Sequence, residues 1–207
     1  MTTQEIITAF ELYVDDTTEL SPTEELALAE KIYREILNDR PWSFLQKEAT
    51  GSTSTIVPYV ALPADFKYLI SNNQYAGQFV DQNPSSRVVF VDEAPYTIIN
   101  WSERKQYRDQ DGYAYLDIPN SRLVFTKQPT VANTYEFDYI YRPDALTLNT
   151  SPIFDEDFHA MIYHGMAVED DITQRFERAR SYATENSSKY QEFLADLRFQ
   201  DAQHYND

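Results

Sequence analysis

The apolar residues of this 207-residue chain change their spacing twice, and that change constrains the fold more than any single motif. At the start Ile6, Phe10 and Tyr13, with Ile7 and Val14, recur at helical spacing, so a first helix is expected over roughly Thr3 to Val14. In the middle the period drops to two. From Thr134, Tyr135, Phe137, Tyr139 and Tyr141 fall on one face of a strand and Glu136 and Asp138 on the other, until Pro143 ends it. Past Asp155 the helical period returns, with Phe158, Met161, Ile162, Gly165, Val168 and Ile172 on one face. Helices at both ends around a strand-rich centre predict an α+β fold. Its helical body is formed by N-terminal and C-terminal helices, with a central antiparallel β insertion.

Local signals refine this plan. Asp15-Asp-Thr-Thr18 breaks the first helix. Ser21, Pro22 and Glu24 spell an N-cap, a first-turn proline and a capping box. A second helix then carries Leu26, Ala29, Tyr33, Ile36 and Leu37 and ends near Asn38-Asp39, because Pro41 disfavours helix at Arg40. Trp42-Ser-Phe-Leu45 leads into the β region. Thr53 to Val60 reads as a strand, and Leu62-Pro-Ala-Asp-Phe66 as a tight turn anchored by Leu62 and Phe66. Ser71 to Arg87 reads as an exposed polar excursion, Val88 to Val91 as a strand, and Pro95 to Tyr107 as a short helix. Tyr113–Ile118 and Arg122–Thr126 flank the turn Pro119-Asn-Ser121. A last helix carries Phe176, Ala179, Ala183, Tyr190, Phe193 and Leu197 near a heptad repeat, with Asn186 inside it. Phe199 and Tyr205 lie off that stripe. The domain expectation is 1–48 for the N-terminal helices, 49–145 for a tyrosine-rich β region, and 146–207 for the C-terminal helices and tail.

Composition narrows the function classes. Apolar runs such as Val88-Val-Phe-Val91 fall far short of the roughly 20 residues a membrane-spanning helix needs. Met1-Thr-Thr-Gln-Glu5 has neither a basic nor an apolar signal region, so no signal peptide is expected. With no cysteine, disulfides and thiolate zinc sites are excluded, and a reducing cytoplasm suits the chain. A formal charge of −17 repels nucleic-acid phosphates, because no excess cation is present to release counterions. Sixteen tyrosines and twelve phenylalanines supply either a filled β core or interface rings.

The sequence carries no recognisable catalytic pattern. Glu156-x-x-His159 has the spacing of a di-iron ligand pair, but its only echo is Asp201-x-x-His204, and two further inward glutamates are not identifiable. A solvated or core-edge histidine explains it more simply. His159 and His164 are five residues apart and do not share a helix face closely. Among 34 acidic residues some glycosidase-like pair always exists, so that signal is empty. The four glycines are isolated, with no phosphate-cradling loop and no nucleophile elbow. Asn186-Ser-Ser188 matches a glycosylation acceptor but falls in a predicted helix. No catalytic residue, metal or cofactor is expected.

The order of these features resembles tailed-bacteriophage head-to-tail adaptors, also called connector or tail tubular protein A-like proteins. The resemblance rests on the N-terminal helix pair, Pro41-Trp42, Leu62-Pro-Ala-Asp-Phe66, Tyr139-Ile-Tyr-Arg-Pro143, the helix from Asp157-Phe-His159 to Asp171, and the charged helix carrying Tyr190, Phe193 and Leu197. It covers nearly the whole chain. It implies a non-enzymatic virion protein of the neck or tail, assembled in the host cytoplasm as a homo-oligomer, a dodecameric ring. The ring would dock beneath the portal protein, extend the DNA channel and offer a platform to a downstream tail or nozzle protein. DNA would pass through without specific binding, and no membrane is involved. Twelve copies at −17 each would carry about −200 formal charges, so an acidic bore would not hold DNA. By the same resemblance the tail from about Arg198 to Asp207, including Phe199 and Tyr205, would be the portal contact.

Other classes make different demands. An acidic DNA-mimic or regulatory binding protein would explain the charge, but has little need of the large aromatic β region. A small hydrolase with an unrecognised acidic site would lose its activity on single acidic substitutions. A carbohydrate-binding β module would explain the aromatics and leave both helical ends unexplained.

Overall fold

The computed structural model describes residues 1–15, 19–70 and 88–203. The chain divides into two compact units, one of residues 1–44 with 143–207 and the other of residues 45–142. The first is helical and the second is a sheet, so the sheet unit is inserted between two parts of the helical one.

In the helical unit, α1 (Thr3–Val14) and α2 (Pro22–Asp39) both open with complete capping boxes, Thr2 with Glu5 and Ser21 with Glu24. Asp15 closes α1 in the left-handed conformation (φ 60°). The buried faces are Ile6, Ile7, Phe10 and Val14 on α1, and Ala29, Ile32, Tyr33, Ile36 and Leu37 on α2. Trp42 is fully buried and its indole N–H donates to the Ile36 carbonyl at 2.8 Å, satisfying an end of α2 that no later turn of helix can reach.

The C-terminal part is more broken than its periodicity predicts. Asp155 caps a single 3-10 turn (Glu156–Phe158). Then follow α3 (Ala160–Val168), α4 (Asp170–Arg175), α5 (Glu177–Ser181) and α6 (Ala183–Gln203). The breaks fall at Glu169, Phe176 and Tyr182. Phe176 leaves the helical conformation and packs edge-on against Phe10 with ring centroids 6.3 Å apart, so burial of one ring overrides a continuous helix. α3 buries Met161, Ile162, His164, Gly165, Met166 and Ala167, which leaves it little polar face, and it packs against α1, α2 and α6. At Gly165 a Cβ would lie 2.6 Å from Ile32 Cγ2 and 3.1 Å from the Tyr190 ring, so the glycine permits the close approach its place on the stripe implies.

The sheet unit has strands β1 (Gln46–Ser52), β2 (Tyr59–Ala61), β3 (Phe66–Leu69), β4 (Val88–Val91), β5 (Ala94–Ile98), β6 (Tyr113–Asp117), β7 (Arg122–Phe125) and β8 (Thr134–Tyr141). Their order is β1-β8-β4-β5-β6-β7-β2, with β3 also paired to β8. Pairing is antiparallel except between β5 and β6, which run parallel, so the insertion is a mixed sheet. Val60, Leu62, Val89, Ala114, Leu123, Phe125, Phe137 and Tyr139 share one apolar cluster, which joins β2 and β8 from distant places in the order.

Two local expectations are corrected. Thr53 to Val60 is not one strand. The strand lies earlier, at Gln46–Ser52, where it pairs with β8 along its whole length. The Ser54 hydroxyl then accepts from the Ile56 and Val57 amides and holds the β-branched run in a loop. Pro95 starts no helix. Asp92 and Glu93 both adopt positive φ (52° and 65°), which closes a tight hairpin between β4 and β5 with Pro95 opposite Phe90. Only a 3-10 turn at Trp101–Glu103 follows. The expected excursion over Ser71 to Arg87 lies outside the described residues.

Candidate docking surface

The end of α6 is where the sequence places a partner contact, and the helix is held there on one side only. Leu194 and Leu197 are buried, and one turn later so is Asp201. The Asp201 carboxylate accepts from the Ser43 amide at 2.6 Å and lies 3.4 Å from the Arg40 guanidinium. Arg40 also donates to the Arg198 carbonyl at 3.4 Å and stacks over Trp42, 5.5 Å from its centroid. A buried carboxylate is tolerable here because a cation and an amide both face it.

Arg198 does not project freely. Its Nε donates to Asp39 at 2.8 Å and its Nη2 to the other oxygen of the same carboxylate, a two-pronged pair that ties α6 to the end of α2. Phe199, the next residue, turns outward and is 67% exposed. Glu192, Ala195 and Asp196 are exposed on the same outer side. Thus the buried residues and Arg198 anchor the helix end, and Phe199 is the ring presented by it. Tyr205, the other ring singled out by the sequence, lies outside the described residues, as does His204.

Neither described histidine is solvated. His159 is buried, its Nε2 3.0 Å from the Phe154 carbonyl, and burial pushes its pKa below the ordinary histidine range. Glu156 does not meet it and instead pairs with the Met1 ammonium at 2.6 Å. His164 donates from Nδ1 to Asn186 at 3.0 Å, and Asn186 donates to the Tyr13 hydroxyl at 2.9 Å. This network stitches α3, α6 and α1 together, and burial lowers the His164 pKa too. Among the described residues no three His, Asp or Glu side chains converge as metal ligands.

In the sheet unit the Leu62–Phe66 turn does more than reverse the chain. Asp65 accepts from Lys47 of β1 at 2.7 Å and from the Tyr139 hydroxyl of β8 at 3.0 Å, and these partners hold its carboxyl below the usual range. Phe66 stacks on Tyr139 at 5.7 Å. Sequence reasoning read the turn and its apolar anchors but missed this polar junction, since nothing in the spacing links positions 47, 65 and 139.

The charge is divided unevenly. Of the acidic and basic residues, 23 and 8 fall in the helical unit and 11 and 9 in the sheet unit, giving formal charges of −15 and −2. A helical unit that carries the charge, a near-neutral aromatic sheet and an exposed ring beside an anchored helix end define a protein built around surfaces. The SU10 adaptor protein family model matches residues 1–206, and the chain belongs to that family of phage head-to-tail adaptors. Its role is structural, in the neck of the virion. No curated protein matches the chain.

Proposed function

We propose that this chain is the repeating subunit of a ring, of twelve copies, that docks beneath the portal, continues the DNA channel and receives the next tail component. The division of charge is the observation that carries this reading. Helical units at −15 each, turned toward the bore, would present DNA with a surface that gives no favourable counterion release. The near-neutral sheet units would be left for contacts between proteins. The tail from about Arg198 to Asp207 reaches the portal, with Phe199 as the inserted ring, Arg198 setting its position through Asp39, and Tyr205 extending the contact. The protein acts without catalysis, and its assembly belongs to the host cytoplasm.

The test is mass photometry of the purified chain with portal rings from the same phage. One portal carrying about twelve copies is expected. Phe199→Ala should leave the melting temperature unchanged and weaken portal occupancy by about tenfold or more, the cost of losing one well-packed aromatic anchor. No association of two folded partners at near-physiological salt would sink the reading.

A further inference from the structure

One face of the sheet unit is built as a docking surface, and its chemistry names its occupant. On β2, β7 and β6 the core side is taken by Val60, Leu123, Phe125, Ala114 and Leu116. On the other side Tyr59 stands opposite Val124, and Val124 opposite Tyr115, so the three form a row straight across the strands. Trp101, from the turn after β5, packs edge-on against Tyr115 at 5.2 Å and extends the row; it remains 48% exposed.

A guanidinium stands at each end. Arg122 lies 4.0 Å from the centroid of Tyr59, and Arg104 lies 4.1 Å from that of Trp101. The tryptophan end is fixed before any partner arrives. Asn100 and Glu103 close the turn, with the Asn100 amide donating to Glu103 at 3.1 Å, and Arg104 donates to the Trp101 carbonyl at 2.6 Å. Tryptophan, tyrosine and arginine are the residues that dominate binding energy at protein interfaces, and rings already held in place lose little entropy on contact. Lys105, exposed in the same turn, adds a further cation, whereas Arg108 lies 3.7 Å from the Asp109 carboxylate and is offset by it.

We infer that this aromatic row, bracketed by Arg104 and Arg122, docks against the acidic helical unit of a second copy of the chain. Charge complementarity favours that occupant: the sheet unit is itself −2, but Arg104, Arg122 and the exposed Lys105 present cations on this face, and the helical unit of every copy carries −15. A contact between unlike surfaces of successive copies is heterologous, the kind that generates a ring when its rotation closes. The inference rests on the ring reading above and assigns one of its contacts.

Arg104→Glu tests it on portal rings, with mass photometry counting copies. The expected result is that the variant still binds portals in ones and twos. Full occupancy should need a chain concentration at least about tenfold higher than wild type. Trp101→Ala should behave alike, and circular dichroism melts identify a variant that has lost its fold. A measurement on wild type stands independently of both. Zero-length carbodiimide cross-linking of assembled rings made from mixed light and heavy chains should join Lys105 of one copy to a carboxylate within 1–44 or 143–207 of another. Wild-type rings that form without that link, or a folded Arg104→Glu chain that fills portals as readily as wild type, would overturn this contact and leave the ring reading standing. A wild type that never assembles on portals would remove both. Retention of a duplex oligonucleotide by wild type, lost in Trp101→Ala, would reassign the face to nucleic acid.

Discussion

Gly165 shows how little room the helical unit leaves. A methyl group there would lie 2.6 Å from Cγ2 of the buried Ile32, a branch fixed directly on the β-carbon, so the two helices or the Ile32 side chain must shift to admit it. Gly165→Ala is expected to cost about 1–3 kcal/mol despite alanine's better helix propensity, read as a lower urea midpoint. Glu25 makes a different prediction. It is only 5% exposed, and burial, followed by the neighbouring Glu11 carboxyl to which it hydrogen-bonds, pushes its pKa up to about 7. The native state therefore binds a proton that the unfolded chain has released above about pH 4.5, so stability falls as pH rises from about 4.5 through about 7. Glu25→Gln, which keeps the shape without the charge, should raise stability by about 1–3 kcal/mol at pH 8 and by little at pH 5. Thermal melts of both proteins across that range would show it, and equal melting differences at the two pH values would refute it.

At the scale of elements, α6 is secured by its buried end. Asp201→Ala removes the acceptor for the Ser43 amide and the partner of Arg40, and is expected to cost about 1–3 kcal/mol and to raise hydrogen exchange over the last two turns of α6. Asp201→Asn, which retains an acceptor, should recover part of the loss. The sequence made α1 legible through its apolar spacing and α2 through a capping box and a first-turn proline, local signals with local causes, but it missed the Thr2–Glu5 capping box that opens α1. It made β8 legible through its alternation, although Ile140, on the side expected to be polar, is fully buried. It misplaced β1, whose polar sequence Gln-Lys-Glu-Ala-Thr-Gly-Ser is held extended by pairing with β8 rather than by propensity. It misread Pro95 because the hairpin before it uses Asp92 and Glu93 where such turns favour Asn-Gly. Phe199 was legible as a ring off the apolar stripe. The fixing of Arg198 on Asp39 was not, since that pair joins residues 159 apart in sequence.

For the whole molecule, the division into a −15 unit and a −2 unit predicts that the chain alone retains no duplex DNA even at about 50 mM salt, where electrostatic binding is strongest. A filter-binding assay that detected retention would remove the repellent-bore argument. The insertion of one unit within the other also has a consequence in time. α1 and α2 leave the ribosome early, yet the helix on which both pack, α3, is encoded beyond the sheet unit. Residues 45–142 must be translated in between, which takes roughly 5–20 s at ordinary bacterial elongation speeds. Through that interval Ile6, Phe10, Ile32 and Ile36 have no α3 to cover them, and when β8, which pairs with β1, β3 and β4, completes the described strands at its end, α3 is still to come. Each nascent copy therefore passes through a stage with its middle folded and its first helices exposed. During that stage polysome-bound copies are open to capture by chaperones, or by the helices of a neighbouring nascent chain.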